Sequence, residues 1–100
     1  MLLILWEYEV LPERRAAFVQ AYGPDGAWAE LFSRADGFLG LELLCDQDGQ
    51  GRFLTIDRWR SREAFEGFMA SSGEPYRALG DQLHPLSVVQ TRLGAFREPD

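Results

Sequence analysis

Few side chains in this chain can move a proton near neutral pH, and each stands alone. His84 is the single histidine, and imidazole is the one side chain whose ordinary pKa lies near 7, so a general base is sought there first. Its place before Pro85 equally suits a surface histidine. Asp57 is the second candidate. Along residues 52–60, Phe53, Thr55, Asp57 and Trp59 alternate onto one strand face. A carboxylate among such neighbours either finds an ion pair or a subunit contact, or has its pKa raised by burial. Trp59 offers one donor, its indole N–H, and could line a pocket or seal the strand–helix junction. Tyr22 and Tyr76 fall on apolar helix stripes, where a phenol can sit in the core with its hydroxyl reaching a cavity. Phe65 and Phe68, on the stripe of the same helix as Tyr76, are candidate pocket walls, as is Thr55.

Other chemistries are excluded by absence. All ten basic residues are arginine; the chain has no lysine and no asparagine. A P-loop, a Schiff base and an Asn-built oxyanion hole are therefore ruled out. The lone Cys45 and lone His84 cannot make an internal disulfide, a Cys-rich zinc site or a multi-histidine centre, so no metal is expected. With no activating neighbour in sequence, Cys45 reads as a small buried hydrophobe. The stretch Gly49-Gln50-Gly51 is a turn rather than a phosphate loop, since no helix follows it. Sixteen acidic residues give a net charge of −6, which disfavours nucleic acid and anionic membrane surfaces as partners. The longest apolar run, Met1 to Trp6, is too short to span a bilayer. A soluble cytoplasmic domain is expected.

The elements that must hold these groups follow from periodicity. Residues 2–11 alternate as a strand with Leu2, Ile4, Trp6, Tyr8 and Val10 on one face. Pro12 and Glu13 open a helix that runs to Tyr22, Gly23-Pro24-Asp25-Gly26 breaks it, and Trp28, Leu31, Phe32 and Ala35 mark a second stretch. Residues 38–45 form a second strand, with Leu39, Leu41, Leu43 and Cys45 facing one way and Phe38, Gly40, Glu42 and Leu44 the other. A polar hairpin connection, 46–51, leads to the third strand, 52–60. Ser61 caps the next helix, residues 72–75 interrupt it, and His84-Pro85 stops it. Residues 87–96 make a fourth strand, and 97–100 a frayed tail. The whole is one domain, 1–100, in the order β-α-β-β-α-β. That order is the ferredoxin-like α+β fold, a four-stranded antiparallel sheet with its helices on one face. Strand one also carries Leu3 and Leu5 on its second face, with Glu7 and Glu9 free to pair with Arg58 or Arg92 across the sheet or a subunit boundary. An apolar outer face of this size predicts a homodimer.

Gly37-Phe38-Leu39-Gly40, followed by Phe53-Leu54-Thr55-Ile56-Asp57-Arg58-Trp59-Arg60-Ser61-Arg62-Glu63-Ala64-Phe65, resembles the antibiotic biosynthesis monooxygenase (ABM) domain of the dimeric α+β barrel superfamily. The resemblance covers nearly the whole chain. It implies a homodimer with a pocket in each subunit between sheet and helices. Some members oxidise anthrones or quinols with dioxygen and no cofactor: the substrate anion reduces O₂, and the protein holds it dry and stabilises the peroxide. The Trp associated with this chemistry falls on Trp59, the Asn on Thr55 and the Tyr on Phe65, so only the Trp is kept. In haem-degrading members the Asn, Trp and His positions fall on Glu7 (or Trp6 with a one-residue slip), Phe68 and Gly80, and no haem is expected.

These readings predict a cofactor-independent monooxygenase of a small aromatic substrate. Trp59, His84 and Asp57 are its candidate catalytic residues; Thr55, Tyr22, Tyr76, Phe65 and Phe68 are its candidate substrate contacts. A non-catalytic ligand-binding or structural dimer, and a metal-free isomerase or cyclase, need the same pocket and remain alternatives.

Overall fold

The computed structural model describes residues 1–49 and 51–100; Gln50, expected in the hairpin turn, lies outside them. Strand β1 (Leu2–Glu9) leads through a 3-10 turn (Pro12–Arg14) into α1 (Arg15–Tyr22) and α2 (Ala27–Phe32). Then come β2 (Phe38–Cys45), β3 (Arg52–Trp59), the long α3 (Arg62–Leu83), a 3-10 turn (His84–Leu86) and β4 (Val89–Phe96). The strands lie in the order β2-β3-β1-β4 with antiparallel neighbours throughout, which is the ferredoxin-like α+β arrangement.

Register decides what the helices cover. Leu2, Ile4, Trp6 and Tyr8 of β1 stand opposite Trp59, Asp57, Thr55 and Phe53 of β3. Directly opposed residues share a face, so these eight form the floor beneath the helices. Two buried clusters sit on that floor. One joins Leu2, Ile4 and Trp59 to Leu31, Phe32 and Phe68. The other joins Tyr8, Val10 and Phe53 to Phe18 and Tyr22.

Two bulges correct the alternation read from sequence. Between Phe38 and Gly40 the pairing with β3 skips Leu39, and Gly40 takes φ +147°, a value that favours glycine. Phe38 therefore returns to the helix side and packs on Phe32 and Trp59, at 5.4 and 5.2 Å between ring centroids. Leu39 is left exposed. A matching shift in β4 beside Leu5 and Trp6, at Gly94 (φ +141°), brings Gln90 and Arg92 opposite Tyr8 and Trp6.

Helix α3 starts where Ser61 Oγ accepts the Ala64 N–H at 3.1 Å. It continues through residues 72–75 rather than stopping, but Ser72 leaves helical geometry (φ −127°, ψ 19°). Pro75 is the cause: it has no N–H to give Ser71, and its ring crowds that carbonyl. On the outer face, Glu7 pairs with Arg52 at 2.5 Å, and Arg58 pairs with Glu42, so neither Arg58 nor Arg92 serves Glu7. Leu3, Leu5, Leu54 and Ile56 are only half-buried there, and Leu44 and Phe96 are exposed. Cys45, at the end of edge strand β2, is exposed rather than buried. Among the described residues no helix is long and apolar enough to cross a membrane.

Candidate functional site

The helical layer leaves a cavity of about 490 Å³ over the middle of the floor, within the size range of small-molecule sites. Thr55 and Asp57 of β3, Trp6 and Tyr8 of β1, and Leu41 of β2 form its base. Tyr22, Trp28 and Phe32 close one side; Tyr76, Arg77, Gly80 and Asp81 of α3 close another, with His84 and Gln90 completing the lining. The walls are mutually packed aromatics: Trp28 lies 6.1 Å from Tyr22, 5.8 Å from Phe32 and 5.3 Å from Tyr76 between ring centroids. Such walls fit a flat aromatic guest.

Three polar side chains at the base of the cavity, Tyr8, Thr55 and Asp57, are buried. Asp57 is 8% exposed, and its Oδ1 is buried with no hydrogen-bond partner among the described residues. Burial alone lifts its carboxyl from 3.8 to about 7, because a desolvated carboxylate without a counter-charge prefers its proton. Tyr8 and Thr55 hydroxyls share a hydrogen bond at 3.3 Å. Burial raises the Tyr8 phenol well above its ordinary range, the Thr55 contact acting the other way. Burial also raises Tyr22 and Tyr76; at Tyr76 the Asp57 charge adds to it and Arg92 opposes it. At neutral pH the three phenols are therefore O–H donors around one carboxyl group poised to ionise. Among the described residues no group of three or more His, Cys, Asp or Glu side chains is placed to hold a metal.

Five residues singled out from sequence meet in this cavity: Asp57, Thr55, Tyr22, Tyr76 and His84. His84 stands on an exposed stretch, its backbone carbonyl accepting from Gln90 Nε2 at 3.5 Å. Trp59, Phe65 and Phe68 lie elsewhere. Trp59 is fully buried among Phe32, Phe38, Phe65 and Phe68, with ring centroids 5.2–5.6 Å away. Its indole N–H has no partner among the described residues. The first half of α3 lies over it, so the expected wall residues are core. Sequence reasoning missed Trp6, Tyr8, Trp28 and Arg77. The strand alternation already put Trp6 and Tyr8 on the inner face, but only the β1–β3 register places them beside Thr55.

Comparison with known proteins bears on what such a cavity is for. The model of the antibiotic biosynthesis monooxygenase family matches residues 1–78. The fold is similar to that of SnoaB, a cofactor-independent oxygenase from Streptomyces nogalater, at 22% identity and a TM-score of 0.67 over 99% of this chain and 93% of that one. An antibiotic biosynthesis monooxygenase structure aligns at 18% identity and a TM-score of 0.68 over the full length of both chains. A conserved protein from Methanosarcina mazei Go1 aligns at 10% identity and a TM-score of 0.72, covering 98% and 92% of the two chains. These identities establish a common fold. No curated protein sequence matches the chain significantly.

Proposed function

Because this chain belongs to the antibiotic biosynthesis monooxygenase family, we propose that it oxidises a small phenolic, hydroquinone or anthrone-like substrate with O₂, without a cofactor. Asp57 takes the substrate proton. The observation that carries this reading is the buried, unpartnered Asp57 carboxyl at the base of an aromatic cavity. A fold kept only for binding gains nothing from that desolvation cost, whereas a base working near neutrality needs it. His84, exposed at the cavity edge, is the weaker candidate.

For an anthrone-like substrate the steps balance as follows. Asp57 removes the proton, leaving an electron-rich anion and a neutral carboxylic acid. The anion passes one electron to O₂, and the substrate radical and superoxide combine to form a C–O bond. The resulting peroxide anion recovers the proton from Asp57. Loss of water then leaves a carbonyl, so one O₂ becomes one product oxygen and one water. The Tyr8–Thr55 hydroxyl pair and the Tyr76 hydroxyl supply donors for the developing oxyanion, and the aromatic walls keep water from quenching it.

Oxygen consumption by metal-stripped protein with a panel of anthrones and hydroquinones tests the reading. Uptake matching substrate loss is expected, falling by about 10²- to 10⁴-fold in Asp57→Asn. Unchanged uptake in that variant would contradict it. Substrate rearrangement without uptake would favour the isomerase or cyclase reading.

We also propose that two copies pair through the outer sheet face, supported by the half-exposed Leu3, Leu5, Leu54 and Ile56. Light scattering is expected to give about twice 11.4 kDa, and Ile56→Lys to shift it toward the monomer.

A further inference from the structure

We infer that the substrate is an aromatic acid whose carboxylate is held by Arg77, with Arg92 on the β4 side of the cavity, while its ring lies against the aromatic walls. The inference deepens the proposed function and rests on the same cavity being the substrate site.

The placement of charge carries the argument. Acidic residues outnumber arginines sixteen to ten, yet Arg14 and Arg62 as well as Arg77 and Arg92 have no ion pair among the described residues. Position rather than lack of a partner therefore singles out Arg77. Arg34, Arg52, Arg58, Arg60 and Arg97 all have one within ion-pair distance. Arg77 and Arg92 have none among the described residues, although Asp81 stands one turn from Arg77 on the same cavity wall. Arg77 lines this cavity, and Arg92 stands beside it on β4 without lining it. Arg92 shares the inner sheet face with Trp6, its register partner, and its charge is felt at the Tyr76 hydroxyl. Gly73 makes room for the Arg77 head group, since a Cβ there would stand 3.1 Å from Nη1. An unpaired guanidinium offers a planar fork of donors that matches a carboxylate.

The position also suits the reaction. Arg77 belongs to the α3 wall and Asp57 to the sheet floor, so a carboxylate held at the wall stays apart from the base. Asp81 opposes any anion; it and Arg77 are both exposed, so water and salt screen both charges alike.

Binding of 1,4-dihydroxy-2-naphthoic acid and of its methyl ester, measured by calorimetry under argon, separates the possibilities. The acid is expected to bind about tenfold more tightly than the ester, the ratio shrinking with added salt. In Arg77→Gln the ratio falls toward one, and Arg77→Lys restores part of it. Arg77 is exposed and unpaired, so both variants are expected to melt as the parent does. Equal binding of acid and ester by the parent, or an unchanged ratio in Arg77→Gln, would overturn the inference. Oxygen uptake in air keeps the two claims separate. Equal uptake with both ligands and a ratio of one sinks this inference alone. A ratio that depends on Arg77, with no uptake from any substrate, supports acid binding and sinks the oxygenase reading.

Discussion

Asp57 and Trp59 stand two residues apart on the same face of β3, in opposite surroundings. Trp59 is enclosed by aromatic rings and aliphatic side chains and has no access to solvent. Asp57 is nearly as buried, yet one side of it opens onto a cavity of about 490 Å³. The difference lies above the strand rather than in it. Ala64, Phe65, Phe68 and Met69, from the first half of α3, press onto the Trp59 cluster. Beyond the break at Ser72 the same helix presents Tyr76, Arg77 and Gly80, which wall the cavity. One kinked helix thus makes a dry core and a binding chamber from one strand face. Both regions are aromatic, so aromatic content does not mark the site. A buried carboxyl without a partner does.

The largest expected effect breaks the closed side. Trp59→Ala should cost about 3–5 kcal/mol in denaturant unfolding, while Trp59→Phe keeps oxygen uptake per folded molecule. A Trp59→Phe protein of parental stability and no uptake would move Trp59 into the site.

The open side should declare itself through pH. The Asp57 carboxyl is raised from 3.8 to about 7 in the folded protein, so between those values the native state keeps a proton that the unfolded chain has lost. Its contribution is fully present below about pH 4 and is lost as pH rises through 7, a change on the order of 4 kcal/mol. Denaturation midpoints should therefore fall from pH 5 to pH 8 in the parent and stay flatter in Asp57→Asn. A parallel fall in both would remove Asp57 from the account.

Smaller effects sharpen the contrast. Tyr8→Phe removes the hydrogen bond to Thr55 and should cost about 1 kcal/mol of stability, with a larger proportional loss in turnover. His84→Ala should stay within about 0.5 kcal/mol and leave the midpoint of the pH–rate profile near 7. Loss of that midpoint would make His84 the base.

The fold was legible because its signals are local: alternation in the strands and the Ser61 cap, while the interruption expected at 72–75 is a kink within one helix. The facing of Phe38 was not, since a bulge at Leu39 inverts the alternation and the sequence shows only a glycine beside it. The site was half legible. Asp57, Thr55, Tyr22, Tyr76 and His84 stood out by type and meet at the cavity. Trp59 stood out equally and does not, because whether a residue on that strand face is covered depends on where the first turns of α3 settle on the sheet. Trp6 and Tyr8 become neighbours of Thr55 only through strand register, which no single-strand pattern encodes.

The most direct test of the central claim is the absorption spectrum of a chromophoric anthrone, 1,8-dihydroxyanthrone, mixed with the protein at pH 7.5 without oxygen. With proton removal separated from oxidation, the parent protein should develop the long-wavelength band of the substrate anion, and Asp57→Asn should bind the substrate and leave it neutral. The same anion band in both proteins would show that Asp57 is not the base.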